Sequence, residues 1–265
     1  GRADKVLVYD LKGNYLPDEV IRFGEIVHKS QIWVDYDKKN VVVVTLPFSA
    51  NVNSNFAINK NVCWVQNRDG DIVHRIPVNH YGLIGDYSNA LVARRNVDAI
   101  SFSISEIPML RTRPDTLYHY DAVKNIITPC FTIDHVVSEN QSASTVLYET
   151  SRSYWAYVTL YPNDISSSAF SVRLTTFNVC VSKKDGNVRR IDRFTDPLLG
   201  LSHLFLMMNN GYICISYDPL ELMDALDKVL TQTDLELDVR KRATDLRNSL
   251  HENDNDILII GKLKQ

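Results

Sequence analysis

The residues with the chemistry to act as ligands or proton carriers are sparse and scattered. Seven histidines stand at His28, His74, His80, His119, His135, His203 and His251, and none forms a His-Glu-x-x-His or Cys/His metal set. The densest group is His119, Asp121, Asp134 and His135. Two imidazoles and two carboxylates have the donors to hold a divalent cation or to pass a proton. His119 and Asp121, two apart on a strand, would share a face. Against this, the Tyr120-Asp121 pair recurs as Tyr9-Asp10, where Val8 replaces the histidine. A pair repeated without its histidine points to a structural turn or hydrogen bond. No nucleophile elbow, phosphate loop or dinucleotide motif is present, so neither catalytic residues nor a cofactor or metal is expected.

Basic residues cluster at Arg94-Arg95, Lys183-Lys184, Arg189-Arg190 and Arg240-Lys241-Arg242. Lys183, Lys184 and Arg189 flank one expected hairpin and are the candidates for contact with nucleic-acid phosphates. The competing reading is a solvated hairpin. The Arg240 triplet falls between apolar positions of an expected helix, the place of a solvated face. Trp33, Trp64, Trp155, Tyr157 and Tyr161 sit at strand spacing, which favours core packing over base stacking. Cys63, Cys130, Cys180 and Cys214 lie in or beside apolar β-rich stretches without C-x-x-C spacing. They read as unpaired small hydrophobes in a reducing compartment.

The elements that would position these residues come in two copies. Val43-Val44-Thr45-Leu46 matches Tyr157-Val158-Thr159-Leu160, and Asn61-Val62-Cys63 matches Asn178-Val179-Cys180. Asp69-Gly70 matches Asp185-Gly186, Arg75-Ile76 matches Arg190-Ile191, and Ile100-Ser101 matches Ile215-Ser216. With Tyr9-Asp10 against Tyr120-Asp121, six matches keep their order at an offset near 115 residues. A tandem duplication is the expected origin.

Each copy reads as short strands rich in Val, Ile, Tyr, Trp and Thr, punctuated by Asn, Asp, Pro and Ser. In the first copy they fall at 5–9, 20–28, 31–36 and 41–46, in a strand ending at Cys63, and at 71–78 and 98–105. In the second they fall at 117–120, 130–137, 145–149 and 154–161, in a strand ending at Cys180, and at 187–194 and 212–217. Asp-Gly between apolar runs marks a hairpin in each. About seven strands in about 110 residues is the rhythm of an antiparallel β-sandwich.

After the second copy, Asp218-Pro219-Leu220-Glu221 carries the cap, first-turn proline and acidic residue of a helix start. A second helix is expected after Asp234, stepping through Leu235, Val239, Ala243, Leu246 and Leu250. A polar break over 251–256 precedes Ile257, Leu258, Ile259 and Ile260. This run reads as a terminal strand buried on both faces, an arm that completes a sheet by assembly with another subunit or, as the alternative, within its own chain. The expected fold is therefore mainly β: a first sandwich over 1–112, a second over 113–222, and a helical arm with its strand over 223–265.

Composition bounds the function without naming a reaction. The 265 residues are 45% hydrophobic and 23% charged, enough for a sizeable core and unlike a disordered chain or coiled coil. With Lys+Arg 29 against Asp+Glu 32, the net charge of -3 argues against a polycationic nucleic-acid coat. No apolar run reaches the length of a membrane span, and no secretory signal opens the chain. Gly1 and Gln265 fit a tag remnant at the start, or a polyprotein product cut at Gln/Gly junctions by a viral 3C-like protease. The expectation is a non-enzymatic structural protein that assembles with itself and possible further structural subunits, as a viral capsid, tail or shell component. The alternative is a viral nonstructural or binding protein contacting RNA or carbohydrate through sandwich loops. Its expected place is the virion or host cytoplasm if viral, otherwise the cytoplasm.

Overall fold

The computed structural model describes residues 2–28, 30–35, 39–46, 60–78, 81–82, 90–95, 100–105, 114–134, 139–162, 174–206, 208–209 and 211–262. It is mainly β, with several antiparallel sheets and two α-helices among those residues. The chain divides into two compact units, Gly1–Tyr148 with Leu160–Val172 and Glu149–Thr159 with Arg173–Gln265.

In the first unit, β1 (Arg2–Val6) and β2 (Ile21–His28) pair antiparallel. β3 (Ser30–Asp35), β4 (Asn40–Thr45), β5 (Asn61–Asn67) and β6 (Ile72–Pro77) follow as a four-stranded meander. A second four-stranded sheet runs β10-β9-β8-β7, from β7 (Ala90–Arg95), β8 (Ile100–Ser105), β9 (Asp115–Asp121) and β10 (Ile126–Ile133). Pro129, which cannot donate to a ladder, sits at a register shift on the edge strand β10. β11 (Gln141–Glu149) closes this stretch, and the Ser103 hydroxyl donates to the Leu147 carbonyl at 3.0 Å.

Burial explains the patterns. Val44, Leu46, Val62 and Cys63 share one apolar cluster with Ala93, Ile100, Phe102 and Tyr120 of the other sheet. Ile21, Val41, Val43 and Trp64 form a second cluster with Val6 and Phe23 packed on it. The meander is thus covered on both faces, so β5 is buried from Asn61 through Gln66 and shows no polar alternation. β6, at the edge, alternates with Ile72, His74 and Ile76 turned inward.

In the second unit, β12 (Ser153–Pro162), β13 (Thr175–Ser182) and β14 (Val188–Ile191) are sheet neighbours in that order. A short hairpin joins β15 (Phe194–Thr195) to β16 (Ser202–His203). β17 (Met208–Asn209), β18 (Tyr212–Tyr217) and β19 (Ile257–Lys262) form a three-stranded sheet with β18 in the middle. Between β18 and β19 the chain makes α1 (Pro219–Leu230) and α2 (Leu237–Ser249). Leu222, Leu226 and Val229 of α1, Ala243 of α2, and Leu199 and Leu201 make the buried cluster, with Ile257 and Ile259 packed against it.

Several expectations meet a different arrangement. The repeat puts a boundary at 112/113, between β8 and β9, yet these strands are hydrogen-bonded neighbours in one sheet. The helices and β19 belong to the second unit, rather than to a separate arm. β7 was not expected; its short Leu91-Val92-Ala93 run lacks the length of the other strand signals. α2 begins at Leu237, and Leu235 packs on the cluster from the preceding loop. β19 pairs antiparallel with β18 of its own chain, and only its odd residues pack inward. Leu258 and Ile260 are 59% and 65% exposed, so four consecutive apolar residues here cover one face, not two.

Candidate nucleic-acid interface

The turn after β13 gathers several basic side chains. Lys183 and Lys184 leave the end of β13, Gly186 takes φ +72° in the turn, and Arg189 returns on β14 opposite Cys180. The turn preceding β12 lies alongside, since the Lys183 N–H donates to the Arg152 carbonyl at 2.9 Å. Ser151, Arg152, Ser182, Lys183, Lys184 and Arg189 are among the residues lining one depression of about 820 Å³. Sequence reasoning found the two lysines and Arg189 but missed Arg152. Nothing in its local sequence marks it, because only strand pairing brings its turn to the hairpin.

The four cations are not equivalent. Lys183 Nζ is 2.5 Å from the carboxylate of Glu149, whose side chain is buried, and stands 4.6 Å from the Tyr154 ring centroid. Its ammonium neutralises a carboxylate that burial would otherwise penalise. Arg152, Lys184 and Arg189 are exposed and pair with no carboxylate among the described residues. Asp185, the acid of the lining, turns back into its own hairpin. The Ser182 hydroxyl, then the Asn187 backbone N–H, lower its carboxyl below the ordinary range, and it stays ionised. Arg190 faces elsewhere, 4.2 Å from the Phe177 ring centroid and paired with Asp192.

The first Asp-Gly hairpin has no comparable set. Arg68 is engaged by Glu19, its carbonyl accepts the Arg22 N–H at 2.7 Å, and Asn67 and Asp71 bond to each other.

The other sequence candidates disperse. Asp121 caps the β9–β10 turn, accepting the Val123 and Lys124 N–H groups, and the Lys124 backbone bond leads in lowering its carboxyl. Asp10 likewise accepts the Lys12 and Asn14 N–H groups. His119 pairs with Thr128, whereas Asp134 follows Ile133, which lies opposite Asp115 at the far end of that ladder. His135 lies outside the described residues. No group of three or more metal-ligating side chains occurs among the described residues. Arg94 and Arg95 lie in β7.

Within the Arg240 triplet Lys241 is exposed, whereas the two arginines are half-buried. Arg240 donates to the Leu230 and Gln232 carbonyls, covering the carbonyl end of α1, and Arg242 donates to those of Leu198 and Pro197. All four cysteines are free: Cys63 is buried, Cys130 and Cys180 are half-buried, and Cys214 is exposed. Burial pushes the Cys63 thiol up, which makes it inert. Trp64 is buried and donates to the Gln66 side chain at 2.8 Å, while Trp155 packs on Phe194 and Tyr157 on Phe205. No helix among the described residues is long and apolar enough to cross a membrane. No family model matches the chain, and no curated protein or solved structure does either.

Proposed function

We propose that this chain is a binding module that holds the phosphate backbone of single-stranded RNA at the β13–β14 hairpin. One observation carries the reading: Arg152, Lys184 and Arg189, without carboxylate partners among the described residues, ring a single depression. Such cations bind phosphates by displacing condensed counterions, independent of sequence. An uncharged carbohydrate would leave them unused.

A duplicated pair of β-sandwiches gives this site its context. Supporting it, β4-β5-β6 and β12-β13-β14 run in the same order. Gly70 and Gly186 both take positive φ. Asp10 and Asp121 both receive backbone N–H groups after a tyrosine. Asn61 and Asn178 are both buried, although Cys180 is less buried than Cys63. On this reading the first hairpin kept an internally neutralised form and the second acquired free cations.

The test is fluorescence-anisotropy titration of a labelled oligouridylate across a salt series. Replacing Arg152, Lys184 and Arg189 together with Ala should weaken binding and reduce the slope of log K against log salt by about 2. Lys124→Ala, an exposed cation elsewhere, should leave it unchanged. Absent binding, an unchanged slope in the triple variant, or equal affinity for an acidic polysaccharide would each overturn the reading. Lys183 is left intact because its ammonium is already engaged by the buried Glu149.

A second reading, a self-assembling structural subunit of the capsid or shell type, is favoured by a separate observation. Leu258 and Ile260 stand exposed on β19, the last strand of its sheet.

A further inference from the structure

We infer that β19 is the docking edge for a second copy of this chain, pairing antiparallel with the same strand about a two-fold axis at Ile259. The inference rests on the self-assembly reading and deepens it. β19 gives one edge to β18 through six paired residues, from Tyr212↔Lys262 to Tyr217↔Ile257. No strand occupies its other edge among the described residues. An open edge with exposed apolar side chains is a template for another strand.

The occupant follows from the order of side chains along the outward face, which reads Asp256, Leu258, Ile260, Lys262. Centred on Ile259, an antiparallel self-pair sets Leu258 against Ile260 and Asp256 against Lys262 at both ends. Apolar meets apolar and acid meets base. Moving the centre to Leu258 sets Asp256 against Ile260, and moving it to Ile260 sets Lys262 against Leu258. A half-step sets outward residues against inward ones, which a sheet with one buried face does not tolerate. Parallel self-pairing puts each charge against its own kind, which is destabilising. One register is therefore self-complementary. Charges that only guard an edge repel an incoming copy, whereas these attract one.

Beside this seam the outward face continues onto β18, where Cys214 lies opposite Ile260 and Ser216 opposite Leu258. The Ser216 hydroxyl donates to the Asp256 carboxylate at 3.3 Å, which keeps that carboxylate at the surface. Two three-stranded sheets would become one of six strands. Few residues meet at an edge-to-edge contact, so the dimer belongs to the weak, concentration-dependent class.

Sedimentation equilibrium over a wide concentration range tests this, using the full chain. The parent should show a monomer–dimer equilibrium. Asp256→Lys or Lys262→Asp alone sets like charges opposite each other at both ends and should weaken association about tenfold. The double exchange restores opposite charges and should recover most of it. Both positions are exposed, and melting temperatures check that folding is kept. A parent that stays monomeric throughout overturns both the inference and the self-assembly reading. A parent that dimerises, with singles unaffected or the double unrescued, overturns this register and leaves self-assembly standing.

Discussion

Gly70 and Gly186 close matching Asp-Gly turns yet meet different surroundings. Gly70 takes φ +99°, and a Cβ there would lie 2.8 Å from the backbone nitrogen of Gly24. The converse is tighter still, a Cβ on Gly24 falling 2.4 Å from the Gly70 carbonyl oxygen. Both obstacles are backbone, so no flexible side chain can give way. Around Gly186, at φ +72°, nothing lies within 4 Å. Gly186→Ala should therefore cost about 1 kcal/mol, the steric penalty of the left-handed region alone. Gly70→Ala should cost more, because β2 must also move. Urea unfolding midpoints compare them, and equal losses would show that the contact with Gly24 contributes nothing. The Asp-Gly hairpins were legible in the sequence, but this difference was not. It depends on a strand more than forty residues away in the chain, and matching residue pairs register identities rather than neighbours. For the same reason Lys183 read as a free cation, although the buried Glu149 holds it.

At the scale of the element, the turn between β15 and β16 shows how a carboxylate positions core residues. Asp196 accepts the N–H groups of Leu198, Leu199 and Leu201, and Gly200 closes the turn at φ +74°. Leu199 and Leu201 are thereby delivered into the cluster beneath the helices. Burial on its own raises the Asp196 carboxyl. His203, whose Nε2 lies 3.8 Å away, and the three backbone N–H groups outweigh it and hold it below its ordinary value. A lowered carboxyl stabilises the fold above its unfolded pKa, and that contribution disappears as pH falls through the folded value. Asp196→Ala should be about 1–3 kcal/mol less stable than the parent at neutral pH. The gap should narrow as pH falls below the ordinary carboxylate range, where the parent's carboxyl becomes protonated too. Denaturant unfolding at several pH values checks this, and a pH-independent gap would refute the electrostatic account.

Legibility differed between the elements. α1 was readable because Asp218 accepts the Leu220 and Glu221 N–H groups and Pro219 opens the first turn. β19 was found in the right place but with the wrong burial. Four apolar residues in succession do not reveal that one side of a sheet lacks a cover.

For the molecule as a whole, the apolar clusters divide as the compact units do. Phe102 is fully buried among residues of β4, β5, β7, β8 and β9 in the first unit. Leu226 is fully buried among residues of α1, α2 and the 199–201 turn in the second. Among the described residues none belongs to both clusters. The mainly β character and the helices could be read from strand-type runs and caps. The division into units could not, because it follows from sheet pairing: β9, expected to begin a second copy, hydrogen-bonds to β8, expected to end the first. Separate cores favour separate unfolding, and chains of more than one unit commonly depart from two-state behaviour. The compact units, however, exchange the chain three times, at Tyr148/Glu149, Thr159/Leu160 and Val172/Arg173, so β12 contributes to each. Calorimetry on the parent should accordingly show two overlapping transitions. Leu226→Ala should lower one and Phe102→Ala the other, each removing about 2–5 kcal/mol of local stability. If both substitutions shift one sharp transition by similar amounts, the shared strand couples the units into a single cooperative fold.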